Sequence, residues 1–588
     1  MTRCSWITVM AIAGALILAA SELTFARDEG GKLTYSSLEM IRSYEPILSN
    51  NIASIQSSSL IFEALVAKDP YGIGVVPRLT ERMDISPELI TFYLKKNVRW
   101  HDGEPFTSDD VAFSYDLIMD PRTRSSLRTN FDFIRRHTII DAHTISFSFN
   151  YPVYHPEWKF TALKMLPAHL FATLEPPASE SPVNKETLRS IRYPDITMHS
   201  EPNPNARQIY ALPYRCQVQV LESQGNWVKA KVVSKGKVGT EGWLPKYQTV
   251  LTFRDRFIVN PVGTGPFMFK NVNYTGDAVF ERYGTYHINK PSLQFVVRHH
   301  TTDKQTLMNN INVGNIDLIP ETPLDQVSAL SPKLIRKIEY SSLSFSGLVL
   351  NTDNAFLKNA DVRRAIAIGF DRETQLRVFY ANKGRLLAGP FSYDSWGINL
   401  DLKPQPYDPA QALKLIAPYK SQMGGAPLVL AVKTDENSVV FDICLAFIDA
   451  MKKLGIPVTL KRSERQLWQE ALERQDFDIA YVEWAFDLGY QIHGLFHSKG
   501  PLNYGQYSNP KVDALLNQMR RETDNAAIIQ SANLIQEELY RECPYVFLWT
   551  LDNIAAVSQR IKGIESDTIS PFGFFDFIDR WWIPAEMQ

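Results

Sequence analysis

The chain has 588 residues, of which 45% are apolar and 21% charged, so it is long enough for several globular domains and has no bias that would favour disorder. Its 62 basic and 64 acidic residues nearly cancel to a net charge of −2, which provides no basic field for gathering nucleic acid. We therefore expect a multi-domain globular protein with no nucleic-acid partner.

The N-terminus has the layout of a secretory signal peptide. A positively charged start is followed by an apolar run over about 6–20 and then by smaller residues, with Thr-Phe-Ala at 24–26 as the expected cleavage motif. A membrane anchor is the alternative, but the run is shorter than the roughly 20 residues that span a bilayer. We predict that 1–26 is a signal peptide, cleaved between Ala26 and Arg27, and that the mature chain is periplasmic.

The segment VRWHDGEPFTSDDVAFSYDLIMD at 98–120 places a histidine and an aspartate side by side next to Trp100. Asp102 and Gly103 form a strong turn dipeptide, and Thr107 with Asp110 has the spacing of a helix capping box. Every residue thus has a folding role, and residues adjacent across a turn do not aim both side chains at one ligand. We interpret the stretch as structural rather than catalytic.

Residues 195–252 predict a small, separate β region. Short alternating runs are divided by turn signals, which is typical of a small barrel. The segments HSEPNPNA, NWVKA and GWLP resemble a bacterial SH3-like domain in that order. Trp227 and Trp243 either fill its core or line a groove. Docking to peptidoglycan and a family insertion without a binding role both remain open.

Residues 428–490 read as strand, helix, strand, helix, strand. A helix from about Val440 to Leu454 ends at Gly455, and these lengths predict right-handed crossovers and a parallel sheet. Ligands bind beyond the carboxyl ends of the strands in such sheets. Two further strand-like segments, 293–300 and 545–558, are candidates for paired crossings between lobes.

The segment at 98–116 resembles the signature of family 5 solute-binding proteins of ABC importers, which bind dipeptides, oligopeptides or nickel. Five further segments resemble the same family in register: PVGTGPF (261–267), LVLNTDNAFLKNADVRRAIAIGFDR (348–372), YDPAQALKLI (407–416), FHS (496–498) and YSNPKVDALL (507–516). The resemblance implies a non-enzymatic, monomeric α/β protein in which two lobes joined by a hinge close on a solute and present it to an ABC permease. It implies no cofactor.

The resemblance also implies a domain order. Lobe I is discontinuous, an extra subdomain spans 70–175, the SH3-like segment is inserted at 195–252, and lobe II spans 297–545. The pieces of lobe I are 27–69, 176–194, 253–296 and 546–588.

Four residues are the candidate solute-binding side chains. Peptide-binding members carry a Trp-x-x-Asp motif whose aspartate pairs with the peptide's α-ammonium, and Trp484 and Asp487 preserve this spacing. Counting back from FHS instead places Gly489 at the acid position, which leaves peptide specificity open. Trp396 and Tyr490 are further candidates for stacking on solute, with core packing as the alternative for each aromatic residue.

Signatures of catalysis and of metal binding are absent from the sequence. We find no nucleophile elbow, phosphate-binding loop or His-Glu-x-x-His helix. His299 and His300 point to opposite faces of a strand, and Gly489 and Gly494 make a chelating helix at 493–497 doubtful. After cleavage an odd number of cysteines remains, Cys216, Cys444 and Cys543, and they fit no zinc spacing.

The leading hypothesis is a periplasmic receptor for a peptide or a similar amine-bearing solute. The alternatives are a receptor for a non-peptide solute, such as an opine, a sugar derivative, a cell-wall fragment or a metal complex, and a cell-wall interaction protein that acts through the inserted segment.

Overall fold

The computed structural model describes most of the chain after the predicted signal peptide, which itself lies outside the described residues. The described residues are 28–38, 44–46, 52–70, 74–120, 123, 125–153, 155–171, 188–191, 196–203, 205–212, 216–224, 227–234, 237–245, 249–250, 261–272, 277–433, 438–486 and 492–588.

A seven-stranded mixed sheet, called sheet I, combines strands from the beginning, middle and end of the chain. Lys32–Ser37 lies parallel to Phe295–His300, while the C-terminal strand Asn553–Ser558 runs antiparallel to its neighbours. The strand order is Phe267–Val272, Ala278–Arg282, Phe295–His300, Lys32–Ser37, Leu318–Ile319, Asn553–Ser558, Ile335–Tyr340. One core cluster, which includes the fully buried Trp581, joins this sheet to the extra subdomain.

A six-stranded sheet, called sheet II, confirms the predicted parallel unit. Leu428–Lys433 pairs in parallel with both Val458–Ser463 and Ile479–Ala485. The remaining strands are antiparallel, so the complete sheet is mixed. The strand order is Gly384–Leu386, Tyr545–Leu551, Ser344–Leu350, Ile479–Ala485, Leu428–Lys433, Val458–Ser463.

Helices cover these sheets and connect their strands. The predicted helix before Gly455 is confirmed as Ser438–Lys453, which buries Cys444, and Gly455 has the expected positive φ of 80°. The α-helices are Ile52–Ser58, Ser108–Met119, Pro156–Lys159, Ala168–Phe171, Lys304–Val313, Ala360–Ile368, Arg372–Tyr380, Pro409–Ile416, Ser438–Lys453, Arg465–Glu473, His493–Phe496, Pro510–Arg521 and Asn525–Glu542. The 3₁₀ helices are Ser126–Phe131, Leu324–Ala329, Ala417–Gln422, Ser566–Thr568, Ile578–Arg580 and Ala585–Met587. Within the described ranges, no helix combines the length and the apolar character that crossing a membrane requires.

The described part of the segment predicted as the extra subdomain, 70–175, contains a four-stranded antiparallel sheet. Its strand order is Thr80–Ser86, Leu89–Leu94, Thr144–Phe149, Ile134–Asp141. The helix Ser108–Met119 begins after Thr107, whose backbone N–H donates to Asp110 Oδ2 at 2.9 Å, as the predicted capping box requires. A separate two-stranded pairing of Val66–Lys68 with Val75–Pro77 joins the segment before the subdomain to its first strand.

The inserted β region, called the insert sheet, is an antiparallel sheet of seven strands. Its order is Gln208–Leu212, Ile196–His199, Glu241–Pro245, Trp227–Ser234, Gln217–Gln224, Leu188–Ile191, Thr249–Val250. A closed barrel requires hydrogen bonds between the first and last strands of such an order, and the described strands show none. The predicted small barrel is therefore not confirmed by the described residues, and the sheet also includes 188–191.

Two chain crossings connect sheet I to sheet II. Ile335–Tyr340 continues into Ser344–Leu350, and Tyr545–Leu551 continues into Asn553–Ser558. The crossings are bonded to each other, since Asn553 Nδ2 donates to the carbonyl of Ser341 at 3.0 Å. The predicted crossing at 545–558 is confirmed. The one at 293–300 is wrong, because Phe295–His300 is paired on both sides within sheet I.

Candidate functional site

The side chains of the WHD segment have separate partners. Trp100 is fully buried and its Nε1 donates to Asp110 Oδ2 at 3.2 Å. The His101 ring lies 2.8 Å from the carbonyl oxygen of Gly265, whereas Asp102 pairs with His169 at 2.9 Å. The structural interpretation of this segment is thus confirmed, because these contacts hold all three side chains within the fold.

Two motifs that were recognised separately, WHDG and PVGTGPF, pack against each other. The backbone N–H of His101 donates to the carbonyl of Gly263 at 2.8 Å. A Cβ atom on Gly263 would lie 1.8 Å from the carbonyl oxygen of Ile61, so only glycine fits. Their contact joins the extra subdomain to sheet I.

A buried cluster of charged groups reinforces the same junction. Glu63 accepts hydrogen bonds from the Tyr286 hydroxyl at 2.5 Å and from His287 Nε2 at 2.8 Å, and it lies 3.4 Å from Arg78. Burial alone raises the pKa of Glu63, but the charge and hydrogen bond of His287 and the charge of Arg78 outweigh it and lower the pKa to about 2. Glu63 therefore stays ionised, and Arg78 also reaches Asp579 at 3.7 Å.

Trp484 lies at the carboxyl end of a central strand of sheet II, opposite Phe345. Its half-buried ring stacks with Tyr504, with centroids 6.3 Å apart and planes 23° apart. Trp396 is also half-buried and makes an edge contact with Phe391 at 6.2 Å. Both tryptophans pack against one hydrophobic cluster, so each has a structural role.

Two of the four candidate binding residues, Asp487 and Tyr490, lie outside the described residues. The described strand ends at Ala485, immediately before them. The structure thus places Trp484 and Trp396 on the same core, and the binding roles of all four residues stay predictions.

A cavity of about 390 Å³ lies beside the two crossings, and no sequence motif pointed to it. Its walls include Asp552, Glu339 and Arg385, which come from separate parts of the chain. Burial, together with the negative charge of Glu339, raises the pKa of Asp552. A cavity built from distant segments leaves no local motif, which is why sequence reasoning missed it.

The two histidine pairs singled out in the sequence have protein partners. His299 Nδ1 lies 2.8 Å from Asp277 Oδ1. Against expectation, a short helix forms at His493–Phe496, because Gly494 lies in its first turn, where a helix tolerates glycine. The His493 and His497 rings stack with their centroids 4.4 Å apart. Asn517 bonds to both rings. Within the described ranges no three His, Cys, Asp or Glu side chains are grouped to hold a metal.

The three cysteines that follow the predicted signal peptide are all buried. Among the described residues, Cys216, Cys444 and Cys543 form no disulfide. Burial raises the pKa of the Cys543 thiol, which disfavours the reactive thiolate.

Comparison with known proteins places this fold. Residues 74–500 match the model for "Bacterial extracellular solute-binding proteins, family 5 Middle". The chain is 26% identical over 312 residues to the "Probable D,D-dipeptide-binding periplasmic protein DdpA" of Escherichia coli (strain K12). This alignment covers 52% of this chain and 60% of that protein. It is 20% identical to the "Oligopeptide-binding protein AppA" of Bacillus subtilis (strain 168), over 94% of this chain and 92% of that protein.

Solved structures share the same architecture. AppA from Bacillus subtilis in complex with a nonapeptide superposes with a TM-score of 0.72 at 19% identity, covering 95% of this chain and 100% of that one. AgaA from A.tumefacien R10 in complex with agropinic acid gives a TM-score of 0.70 at 18% identity, covering 94% and 99%. The fold is thus that of periplasmic binding proteins with mixed α/β content. Since the family model spans most of the chain, this protein belongs to the bacterial extracellular solute-binding proteins of family 5.

Proposed function

We propose that the mature chain is the periplasmic receptor of an ABC importer, which binds a peptide or a similar amine-bearing solute between two lobes and delivers it to the membrane permease without chemical change. The family match over 74–500 carries this proposal, because that range includes strands of both sheet I and sheet II. Two bonded crossings between the sheets supply the hinge that such a cycle needs. The proposed domain order is the one implied by the family resemblance.

The solute's ammonium group is proposed to pair with Asp487, next to an aromatic wall that includes Trp484, Trp396 and Tyr490. Trp484 lies near the carboxyl end of a central strand of sheet II, the side on which such sheets bind ligands, and Asp487 follows it by three residues. A carboxylate shielded from water by lobe closure forms a strong charge-assisted hydrogen bond with an amine. The relatives DdpA and AppA are named for dipeptide and oligopeptide binding, which supports a peptide as the solute.

Thermal stability in the presence of peptides tests the ammonium role. A free-amine peptide mixture at one hundred times its Kd is expected to stabilise the chain by about 2.7 kcal/mol, and Asp487→Asn is expected to remove that gain. N-acetylated peptides are expected to act equally on both proteins. The control is Asp476→Asn, which removes an exposed carboxylate at the surface of sheet II that pairs with Lys461. Full affinity of Asp487→Asn for free-amine peptides would contradict the assignment.

A non-peptide solute is the second candidate, supported by the structural likeness to AgaA with bound agropinic acid. Native mass spectrometry of the purified mature chain distinguishes the two, since a retained solute reports its own mass. The same spectrum tests the proposed cleavage between Ala26 and Arg27 and the proposed monomeric state. A retained mass that fits no peptide would favour the second candidate.

The insert sheet is proposed to be an SH3-like module that docks to peptidoglycan. The ring of Trp227 is partly exposed and meets His199 edge to face at 5.6 Å, which leaves an aromatic surface beside the sheet. Trp243 is more deeply buried, at 9% exposure, and fits a core role. Removing 188–250, the whole insert sheet, is expected to spare solute binding and reduce sedimentation with cell wall. Unchanged sedimentation would leave the segment as an insertion without a binding role.

A further inference from the structure

Arg520 links the C-terminal half of the chain to the extra subdomain. It lies at the end of the helix Pro510–Arg521, and its Nη2 atom donates to Asp132 Oδ1 and to the Tyr151 hydroxyl, each at 2.5 Å. The Tyr151 hydroxyl in turn lies 3.5 Å from Asp132 Oδ1. One guanidinium nitrogen therefore joins two acceptors that lie more than 360 residues away in sequence.

The tyrosine ring adds a second kind of contact. The guanidinium carbons of Arg520 and Arg521 each lie 5.5 Å from the centroid of Tyr151, within the range of cation–π attraction. Arg521 shares this stacking, but the ion pair is made by Arg520. The chain thus contains its own control residue, with the same charge and ring contact.

The exposure of the contact matches a reversible role. The Arg520 side chain is 19% exposed and that of Asp132 is 48% exposed, so water competes for both partners. A fully buried pair here would fix the lobes together, and a fully exposed pair would contribute almost nothing.

The neighbouring histidine does not oppose the contact near neutral pH. Burial, followed by the positive charge of Arg520, lowers the pKa of His493 to about 4. The neutral imidazole therefore places no second positive charge against the arginine in the periplasm.

We propose that Arg520, Asp132 and Tyr151 form an interlobe latch that favours the closed arrangement of the lobes before any solute binds. None of the three residues lies in the crossings at 335–350 or 545–558, so the latch acts separately from the hinge. This goes beyond the proposed function, because it concerns the empty protein and does not depend on which solute is carried. An engaged latch raises the population of the closed state, and its release raises that of the open state.

Distance measurements on the protein without added ligand test the latch. Spin labels are placed on cysteines introduced at Ile140, in the extra subdomain, and at Leu467, beside sheet II, since these side chains are 60% and 58% exposed. Arg520→Ala is expected to raise the ratio of open to closed molecules about fivefold, as loss of a partly exposed ion pair predicts. Arg521→Ala is expected to change it less than about twofold. A wild-type distance distribution in Arg520→Ala would overturn the proposal, as would equal opening by both variants.

A charge exchange separates the latch from a general loss of helix packing. Arg520→Asp is expected to open the lobes, and adding Asp132→Arg is expected to restore about half of the closed population, because the pair is rebuilt with reversed polarity. Tyr151→Phe keeps the ring and removes one acceptor, so it is expected to open the lobes about twofold. A double variant as open as Arg520→Asp alone would overturn the proposal. Circular dichroism confirms that each variant is folded.

Discussion

The extra subdomain meets its two neighbours through charged contacts that differ in their access to water. At the junction with sheet I, the side chains of Glu63 and Arg78 are 5% and 7% exposed and belong to a larger hydrogen-bonded cluster. At the contact with the C-terminal half, Arg520 and Asp132 are 19% and 48% exposed. Because separating a buried pair leaves an uncompensated charge away from water, the first contact holds the subdomain against sheet I. The second contact can form and break, so the subdomain is expected to move together with sheet I.

The largest effect is expected from breaking the buried junction. Glu63→Gln leaves His287 without its carboxylate partner and Arg78 with Asp579 as its remaining one in a buried site, and we expect the free energy of unfolding to fall by about 3 kcal/mol. Urea unfolding measures the loss. Asp84→Asn, at the exposed pair with Arg82, is the control and is expected to have no measurable effect. If Glu63→Gln and Asp84→Asn lowered the free energy of unfolding by the same small amount, the buried cluster would not stabilise the junction more than an exposed pair does.

The same cluster predicts a specific loss of stability in acid. The folded pKa of Glu63 is about 2, below the value of about 4.3 in an unfolded chain, so its contribution is present above the unfolded pKa and is lost as pH falls. Between about pH 5 and pH 2 this amounts to about 3 kcal/mol. Urea unfolding across this range is expected to show a smaller decline for Glu63→Gln than for the natural chain. If the free energy of unfolding fell equally with pH in both proteins, groups other than Glu63 would cause the acid sensitivity.

A smaller effect is expected from the glycine at the same junction. Gly263→Ala forces a Cβ atom against the carbonyl of Ile61, and we expect a loss of about 1–3 kcal/mol in the free energy of unfolding. Gly284→Ala is the matched control, because a Cβ atom there meets no atom within 4 Å. Thermal unfolding compares the two. An unchanged midpoint for Gly263→Ala would mean that the turn can move away from Ile61 at little cost.

The smallest effect on global stability is expected at the contact with the C-terminal half. Arg520→Ala removes a pair that is partly exposed to water, and the free energy of unfolding should change by less than about 1 kcal/mol. Urea unfolding alongside Glu63→Gln makes the comparison direct. If Arg520→Ala lowered the free energy of unfolding as much as Glu63→Gln does, the contact would be a permanent part of the fold, and the latch proposal would be contradicted.

The sequence predictions that the structure confirmed were based on local patterns. The turn and capping residues at 102–110 predicted the start of the helix Ser108–Met119, and apolar periodicity with Gly455 predicted Ser438–Lys453. The strand and helix lengths over 428–490 likewise predicted the parallel pairings of Leu428–Lys433. The helix starts and ends depend on residues within a few turns of one another, and the parallel pairings follow from the lengths of elements within one continuous segment, so the sequence records both.

Predictions that depended on distant pairing were less successful. The segment 293–300 has the composition of a crossing strand, but its neighbours are Lys32–Ser37 and Ala278–Arg282, which hold it inside sheet I. The alternation over 195–252 indicated strands without indicating whether the first and last would pair. A strand's composition reports that it will pair, and long-range packing selects its partner.

The sequence by itself determined that this chain forms α/β lobes, that its WHDG segment is a turn, and that six family motifs occur in order, because each depends on local propensity or on residue spacing. Only the tertiary structure decided that WHDG packs on PVGTGPF, that Glu63, Arg78 and His287 share one buried site, and that Arg520 reaches Asp132. These contacts join residues far apart in the chain. Their geometry exists only after the sheets have formed, when burial sets the strength of each charge pair.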